Sequence, residues 1–269
     1  MKLSSRKTEH IKRQYGKWAI ITGASSGIGK ALAERLAEAG LNLVISSRNL
    51  QKLEEIAANL TVKHNIQVIP VDADVSTNEG IEKIISASKN REVGLFIPSA
   101  GYGTSGDFIN SSLQEEINML RVNAEAVLSL THYFSNLFVN QKRGGIIFLS
   151  SIVAFQGVPY ASNYASTKAY IQSFAEALAI ELKPHGVDIL SVASAPVSSG
   201  FGKRANMNLG KAMKPDEITV PILNALGKKT NVLPGVLTKV LTYSLRTVPW
   251  WAKVRIMQKV MGGFTKHQR

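Results

Sequence analysis

The 269-residue chain contains no cysteine. That excludes disulfides, thiolate-ligated metals, iron–sulfur clusters and a cysteine nucleophile. The five histidines, His10, His64, His132, His185 and His267, are scattered without ligand spacing, so no metal site is expected. No run reaches the roughly 18 uninterrupted apolar residues of a membrane-crossing helix. Residues 1–17 are basic, but no apolar stretch of signal-peptide type follows them, so no secretory signal is expected. Acid is missing from one region in particular: residues 228–269 hold nine Lys or Arg and no Asp or Glu.

What is present is an uneven charge. Lys and Arg number 32 against 19 Asp and Glu, a net of +13. Residues 1–17 net +5 and residues 228–269 net +9, so 18–227 nets −1. A strongly basic chain suggests a polyanionic partner. Here the excess sits at the two ends, and the near-neutral middle must be read for its own chemistry. The length suits one α/β domain, and 45% hydrophobic residues suit a globular core.

Short apolar runs alternate with amphipathic stretches. Strands are expected at 18–22, 41–46, 66–71, 93–98, 145–150 and 187–192, with a short seventh at 231–233. Helices are expected at 27–39, 49–64, 77–90, 112–141 and 162–183. Near-continuous apolar strands alternating with helices mark a parallel sheet covered on both faces. One doubly wound α/β domain is expected over 18–235. A basic segment precedes it at 1–17, and a basic amphipathic extension follows at 236–269.

The first strand runs into Thr22-Gly23-Ala24-Ser25-Ser26-Gly27-Ile28-Gly29 and then a helix. A glycine turn at a helix N-terminus brings backbone N–H groups close to a pyrophosphate, and the helix dipole favours its charge. Gly23, Ser25, Ser26, Gly27, Ile28 and Gly29 are therefore candidate cofactor contacts. The second strand ends in Ser46-Ser47-Arg48, with no acid for a ribose 2′-hydroxyl. Ser47 and Arg48 suit a 2′-phosphate, which favours NADP(H) over NAD(H). Asp74 and Val75 follow the third strand. Asp74 could meet an adenine amino group, or Asp74 or Ser76 could cap the next helix.

The sharpest signal is Tyr164-Ala165-Ser166-Thr167-Lys168 on an expected helix. The i,i+4 spacing puts phenol and ammonium on one face. A free phenol titrates near 10, and a fixed cation nearby would lower that value. Such a pair can give a proton to a carbonyl oxygen or take one from an alcohol. Ser150-Ser151 ends the fifth strand, where Ser151 could hydrogen-bond the substrate oxygen.

Taken in order, TGASSGIG at 22–29, the interval from Ser151 to Tyr164, and YASTK at 164–168 resemble the short-chain dehydrogenase/reductase family over 18–235. The resemblance implies a Rossmann-type fold, a nicotinamide cofactor and alcohol/carbonyl interconversion. It selects Ser151 over Ser150. It also implies that Asn123 in the long helix holds a water for a proton relay; the residue alone reads as a buried polar or kinking position. Ala100 and Gly101, together with Pro196, Val197 and Ser199, take the places of further cofactor contacts. Two departures stand out: Pro98-Ser99 replaces the family's paired asparagines, and Ser194-Ala195 replaces its Pro-Gly. The substrate is expected to be an apolar carbonyl or alcohol, facing Phe155, Val158, Tyr160, Phe201, Met207, Leu209 and Met213. The resemblance also implies a homodimer or homotetramer.

Residues 236–261 alternate apolar and basic residues, with Pro249 between them. Trp250, Trp251, Val254, Ile256 and Met257 mix with Lys253, Arg255 and Lys259. Interfacial helices that lie on anionic membranes have this chemistry. A helix packed on its own domain or across a dimer is the other reading. The enzyme is expected in the cytoplasm, with an anionic membrane surface as a peripheral partner and no nucleic acid. A non-catalytic cofactor sensor holding nucleic acid through its basic ends is the rival function, and the intact Ser151, Tyr164 and Lys168 argue against it.

Overall fold

The computed structural model describes residues 3–210 and 212–268. Lys2 and Arg269, two of the charges assigned above to the ends, lie outside the described residues. β1 (Trp18–Thr22) is buried at every position, as expected for a strand with helices on both faces. It pairs in parallel with β2 (Asn42–Ser47) on one side and β4 (Val93–Ile97) on the other. β3 (Val68–Asp72) lies beyond β2. β5 (Gly144–Ser151), β6 (Val187–Ser194) and the two-residue β7 (Asn231–Val232) continue beyond β4. The resulting order, β3-β2-β1-β4-β5-β6-β7, is a Rossmann-type parallel sheet of seven strands. Strand order reverses between β1 and β4, which opens a crevice at their C-terminal ends.

The helices are α1 (Ser5–Tyr15), α2 (Gly27–Glu38), α3 (Leu50–His64), α4 (Asn78–Ser88), α5 (Leu113–Leu120), α6 (Ala126–Gln141), α7 (Ser162–Glu181), α8 (Phe201–Arg204), α9 (Pro215–Ala225), α10 (Val236–Arg246) and α11 (Trp250–Phe264). One face of the sheet packs on α1, α2, α3 and α9 through Ile11, Leu32, Leu36, Leu53 and Ile222. The other packs on α4, α6 and α7 through Ile84, Phe134, Phe138 and Ile171. Among the described residues, no helix is long and apolar enough to cross a membrane.

Two expectations need correction. The basic N-terminal segment is not an appendage. Ser4 caps α1 by accepting from the Lys7 N–H, and Ile11 and Tyr15, one turn apart, are fully buried. The Tyr15 hydroxyl donates to Asp188 at 2.8 Å, and the Lys7 ammonium donates to the Leu226 carbonyl at 3.0 Å. Burying these two side chains holds the helix on the body while Lys12 and Arg13 between them stay exposed. The stretch 112–141 is also not one uniform helix. Residues Arg121–Glu125 form a π turn between α5 and α6, and such bulges frequently mark functional sites.

Candidate active site

The glycine loop folds as tightly as its sequence suggests. Gly23 and Gly27 adopt φ of +66° and +59°. A Cβ on Gly23 would lie 2.7 Å from the Ala100 backbone nitrogen, and one on Gly27 would lie 2.6 Å from the Ser199 Cβ. Gly29 has the same limit, with the Gly23 carbonyl oxygen 2.6 Å away. Ser26, at the N-cap of α2, makes no side-chain cap bond. The N-terminal dipole of α2 therefore faces a backbone cradle that any side chain would fill, a fit for a pyrophosphate. Ser25 and Ile28 are half-buried beside it. At the end of β2, Ser47 exchanges hydrogen bonds with the backbone of Asn49, and Arg48 is exposed. A nicotinamide dinucleotide fits this cradle and its basic neighbour.

Thr22 explains how the sheet manages without paired asparagines. Its hydroxyl accepts from the Ser99 N–H at 3.1 Å and the Ala100 N–H at 3.0 Å, which ties the end of β4 to β1. Thr22 belongs to the glycine motif, and nothing in the local sequence signals this bracing role. After β6, the Ala195 N–H donates to the buried Thr238 hydroxyl at 3.3 Å, where α10 takes over the bracing. Asp74 accepts from both the N–H and the hydroxyl of Ser76, with Val75 buried between them. The cap of α4 is neither of these but Thr77, which accepts from the Gly80 N–H.

Asn123 lies in the π turn and is buried. Its side-chain amide donates to the Tyr102 carbonyl at 2.8 Å and to the Thr167 hydroxyl at 3.1 Å, and its oxygen accepts from the Tyr102 N–H at 3.1 Å. Gly101 passes so close that a Cβ there would lie 3.1 Å from the Asn123 oxygen and 3.8 Å from the Lys168 ammonium. Asn123 thus joins the loop after β4 to α7, directly beside Lys168.

Ser151 ends β5, and its hydroxyl reaches the Ser194 carbonyl at 3.5 Å. Lys168 donates to the Leu149 carbonyl at 2.8 Å, and its ammonium lies 5.8 Å from the Tyr164 ring centroid. Both α7 residues keep some exposed surface, but dense packing around their titrating atoms decides their ionisation. Burial pushes Lys168 down to about 8. Burial also pushes the Tyr164 phenol well above its ordinary value, against a hydrogen bond with Ser151 that pulls it down. Against the expectation that Lys168 lowers it, the net shift of Tyr164 is upward: desolvation of the phenolate raises it and Ser151 is the group that pulls it down. The resting phenol is neutral.

The segment after β6 covers this centre. Pro196 and Ser198 pair with Met213 through the backbone, and Val197 bridges to it. The Ser199 hydroxyl donates to the Val197 carbonyl at 3.2 Å, which holds Ser199 over Gly27. Phe201 lies against Tyr164, with ring centroids 5.0 Å apart. Val158, Ala165 and Met207 form one apolar cluster with Met257 and Met261 of α11, and Val153, Tyr160, Tyr164, Phe201 and Leu209 pack against it. Met213, expected in this group, instead packs toward the α2–α9 face. The C-terminal extension thus roofs the centre with two methionines. Its other side stays outside: Trp250 and Trp251 are 76% and 69% exposed.

A family model of the short chain dehydrogenase matches residues 17–210. The 7β-hydroxysteroid dehydrogenase of Mediterraneibacter gnavus is 29% identical over 232 residues, covering 84% of this chain and 88% of that one. The very-long-chain 3-oxoacyl-CoA reductase of Podospora anserina is 30% identical over 249 residues, covering 89% and 70%. A solved structure of a 7β-hydroxysteroid dehydrogenase superposes with a TM-score of 0.85 at 25% identity, over 92% of this chain and 98% of its own. A short-chain dehydrogenase from Sphingobium yanoikuyae in complex with NADPH gives 0.78 at 26% identity, over 85% and 91%. Matched in sequence over most of its length and in backbone nearly end to end, the chain belongs to the short-chain dehydrogenase family of oxidoreductases.

Proposed function

We propose that the protein is an NADP(H)-dependent oxidoreductase that interconverts a carbonyl and a secondary alcohol on an apolar small molecule. The carrying observation is the buried Tyr164 phenol, held neutral between Ser151 and Lys168 on the substrate side of the sheet. A neutral phenol is the form that gives up a proton when the carbonyl is reduced. NADPH, when bound, supplies the hydride. Gly23, Ser25, Ser26, Gly27, Ile28 and Gly29 hold its pyrophosphate, and Arg48 with Ser47 holds the 2′-phosphate. Asp74 and Val75 border the adenine. Ala100, Gly101, Pro196, Val197 and Ser199 line the path to the nicotinamide.

Ser151 orients and polarises the carbonyl through its hydroxyl. Tyr164 donates its proton to the carbonyl oxygen. Lys168 holds the ribose hydroxyls and stabilises the phenolate left behind. Asn123 positions the loop after β4 and, through Thr167, the helix that carries both residues; a water relay in the family manner belongs to the same reading. The apolar roof of Val158, Phe201, Met207 and Met257 supports an apolar substrate, as do the names of the two curated relatives.

The test is NADPH oxidation over a panel of apolar ketones. Tyr164→Phe keeps NADPH binding and loses nearly all turnover; undiminished turnover rejects the assignment. Equal rates with NADH reject the role of Arg48.

The same reading includes an anionic lipid surface at the outer face of α10 and α11. Val236, Val240, Tyr243, Trp250 and Trp251 are exposed there, among cations and without one acid. Binding to anionic but not neutral vesicles, lost in Trp250→Ser/Trp251→Ser, is the expected result. Assembly as a homodimer or homotetramer also belongs here. Leu113, Leu120 and Leu128 of α5 and α6 are exposed and would be covered by a second copy, and sedimentation of the full chain measures it.

A further inference from the structure

A cavity of about 80 Å³ lies between the turn that follows Ser151 and the two C-terminal helices. Ile152, Phe155, Leu241, Leu245 and Met257 make its walls apolar. Met257 also belongs to the cluster that packs on Tyr164, so one side chain forms both a wall of this cavity and part of the roof over Tyr164. Its volume suits the end of a ligand rather than a whole one.

Four polar side chains break the apolar lining, and one of them, Gln156, is engaged in donating to the Ile152 carbonyl at 2.9 Å. Thr242 lines this cavity and is buried at 7% exposure, and its hydroxyl has no hydrogen-bond partner among the described residues. Buried hydroxyls in native proteins are nearly always paired, so an orphan that lines a cavity points to a ligand. Arg246 and Lys253 also line it. Neither makes a salt bridge among the described residues, and no acid follows residue 227 to provide one from these helices. Arg246 instead lies over the Tyr243 ring, 5.0 Å from its centroid.

We propose that this cavity receives the far end of the substrate, and that this end is a carboxylate on an apolar chain. Leu241, Leu245, Met257 and Phe155 enclose the last methylenes. The Thr242 hydroxyl donates to the carboxylate, and Arg246 and Lys253 neutralise it through charge-assisted hydrogen bonds. The substrate would then be an anionic amphiphile, with its carbonyl at Tyr164 and its charge beneath α10 and α11. This deepens the reductase reading and rests on it only for the carbonyl end.

The test separates the two. Octanoate and octan-1-ol, matched in chain length and used below micelle formation, are titrated into the full chain by calorimetry. Octanoate is expected to bind at least tenfold more tightly. Arg246→Gln/Lys253→Gln should reduce that preference to within threefold, and Thr242→Val should weaken octanoate severalfold. Lys239→Gln/Lys259→Gln, outside the cavity, should leave the preference intact. Equal affinity for both probes, binding of neither, a preference that survives Arg246→Gln/Lys253→Gln, or one lost in the Lys239/Lys259 control overturns the proposal. In kinetics, removing a terminal carboxylate from an accepted ketone should raise KM and leave kcat. Octanoate binding does not depend on Tyr164. If octanoate binds as expected while the wild-type chain reduces no ketone, the reductase reading fails alone.

Discussion

Phe201 lies against Tyr164 with ring centroids 5.0 Å apart, and Gly103 sits where the two rings meet the chain. A Cβ at Gly103 would lie 2.6 Å from the end of the Phe201 ring and 3.1 Å from the Tyr164 ring. The first contact relaxes by turning Phe201, which is half-buried on the short α8. The second has less freedom, because the Tyr164 ring packs against the apolar cluster of the roof. Gly103→Ala is expected to lower kcat about tenfold, the scale on which small misplacements of reacting groups act. Its melting temperature should stay within a few degrees of wild type. Unchanged kcat would show that Tyr164 tolerates displacement.

Lys168 gives the protein a pH signature. Burial lowers it from 10.5 to about 8. Between those values the unfolded chain keeps a proton that the folded chain has lost, so this residue makes stability rise with pH from about 8 toward 10.5. Tyr164 works the other way only above about 10, where the unfolded phenol ionises and the buried one does not. Melting curves between pH 7.5 and 9.5 therefore exclude Tyr164, and comparison with Lys168→Met separates Lys168 from Lys7, which burial also lowers. The wild type should gain stability relative to Lys168→Met across this range; parallel slopes would contradict the burial argument. Because the phenol stays neutral there, kcat/KM for NADPH oxidation should fall as pH rises through about 8.

Thr22 offers a test of how the crevice is built. Thr22→Val keeps the shape and removes the acceptor for the Ser99 and Ala100 N–H groups. Leaving backbone donors unpaired beside the sheet should cost about 1–3 kcal/mol. NADPH affinity should weaken in parallel, because Ala100 borders the cradle. Thr22→Ser keeps the hydroxyl and should recover most of both effects, which calorimetry and a NADPH fluorescence titration can measure.

The N-terminal helix makes a stability prediction that its charge conceals. Tyr15→Ala removes a fully buried ring from the main core and leaves Asp188 without its donor, at an expected cost of about 3–5 kcal/mol. Arg13→Gln, on the exposed side of the same helix, should change stability by no more than about 0.5 kcal/mol. Urea unfolding of both variants decides whether residues 5–15 are part of the fold. Equal, small effects would return them to a loose tail.

The strands and their parallel arrangement were legible in the chain because most are nearly unbroken apolar runs that alternate with helices. The glycine loop was legible for a related reason. Gly23, Gly27 and Gly29 each stand where a Cβ would strike backbone or a neighbouring side chain, and such local demands leave their mark in sequence. Tyr164 and Lys168 were legible from their i,i+4 spacing, and Ser151 from the family resemblance.

Other features depended on partners far away in the chain. α1 looked like a charged tail because only Ile11 and Tyr15 carry its burial, and their pocket is made by residues such as Gly94 and Gly145, far along the sequence. Thr22 does the work of missing asparagines through atoms 77 and 78 residues distant. The ionisation of Tyr164 was misread from its sequence neighbour, because desolvation is a property of everything packed around a group. The C-terminal extension posed a choice between packing inward and facing outward. The fold decided it residue by residue, turning Met257 and Met261 onto the active site and leaving Trp250 and Trp251 outside. Sequence alone determined the strand–helix alternation, which follows from local periodicity, and, through the family resemblance, which residues stand at the strand ends. Burial, bracing and the roof over Tyr164 were decided only by tertiary structure, because each is a sum over neighbours that the linear chain keeps apart.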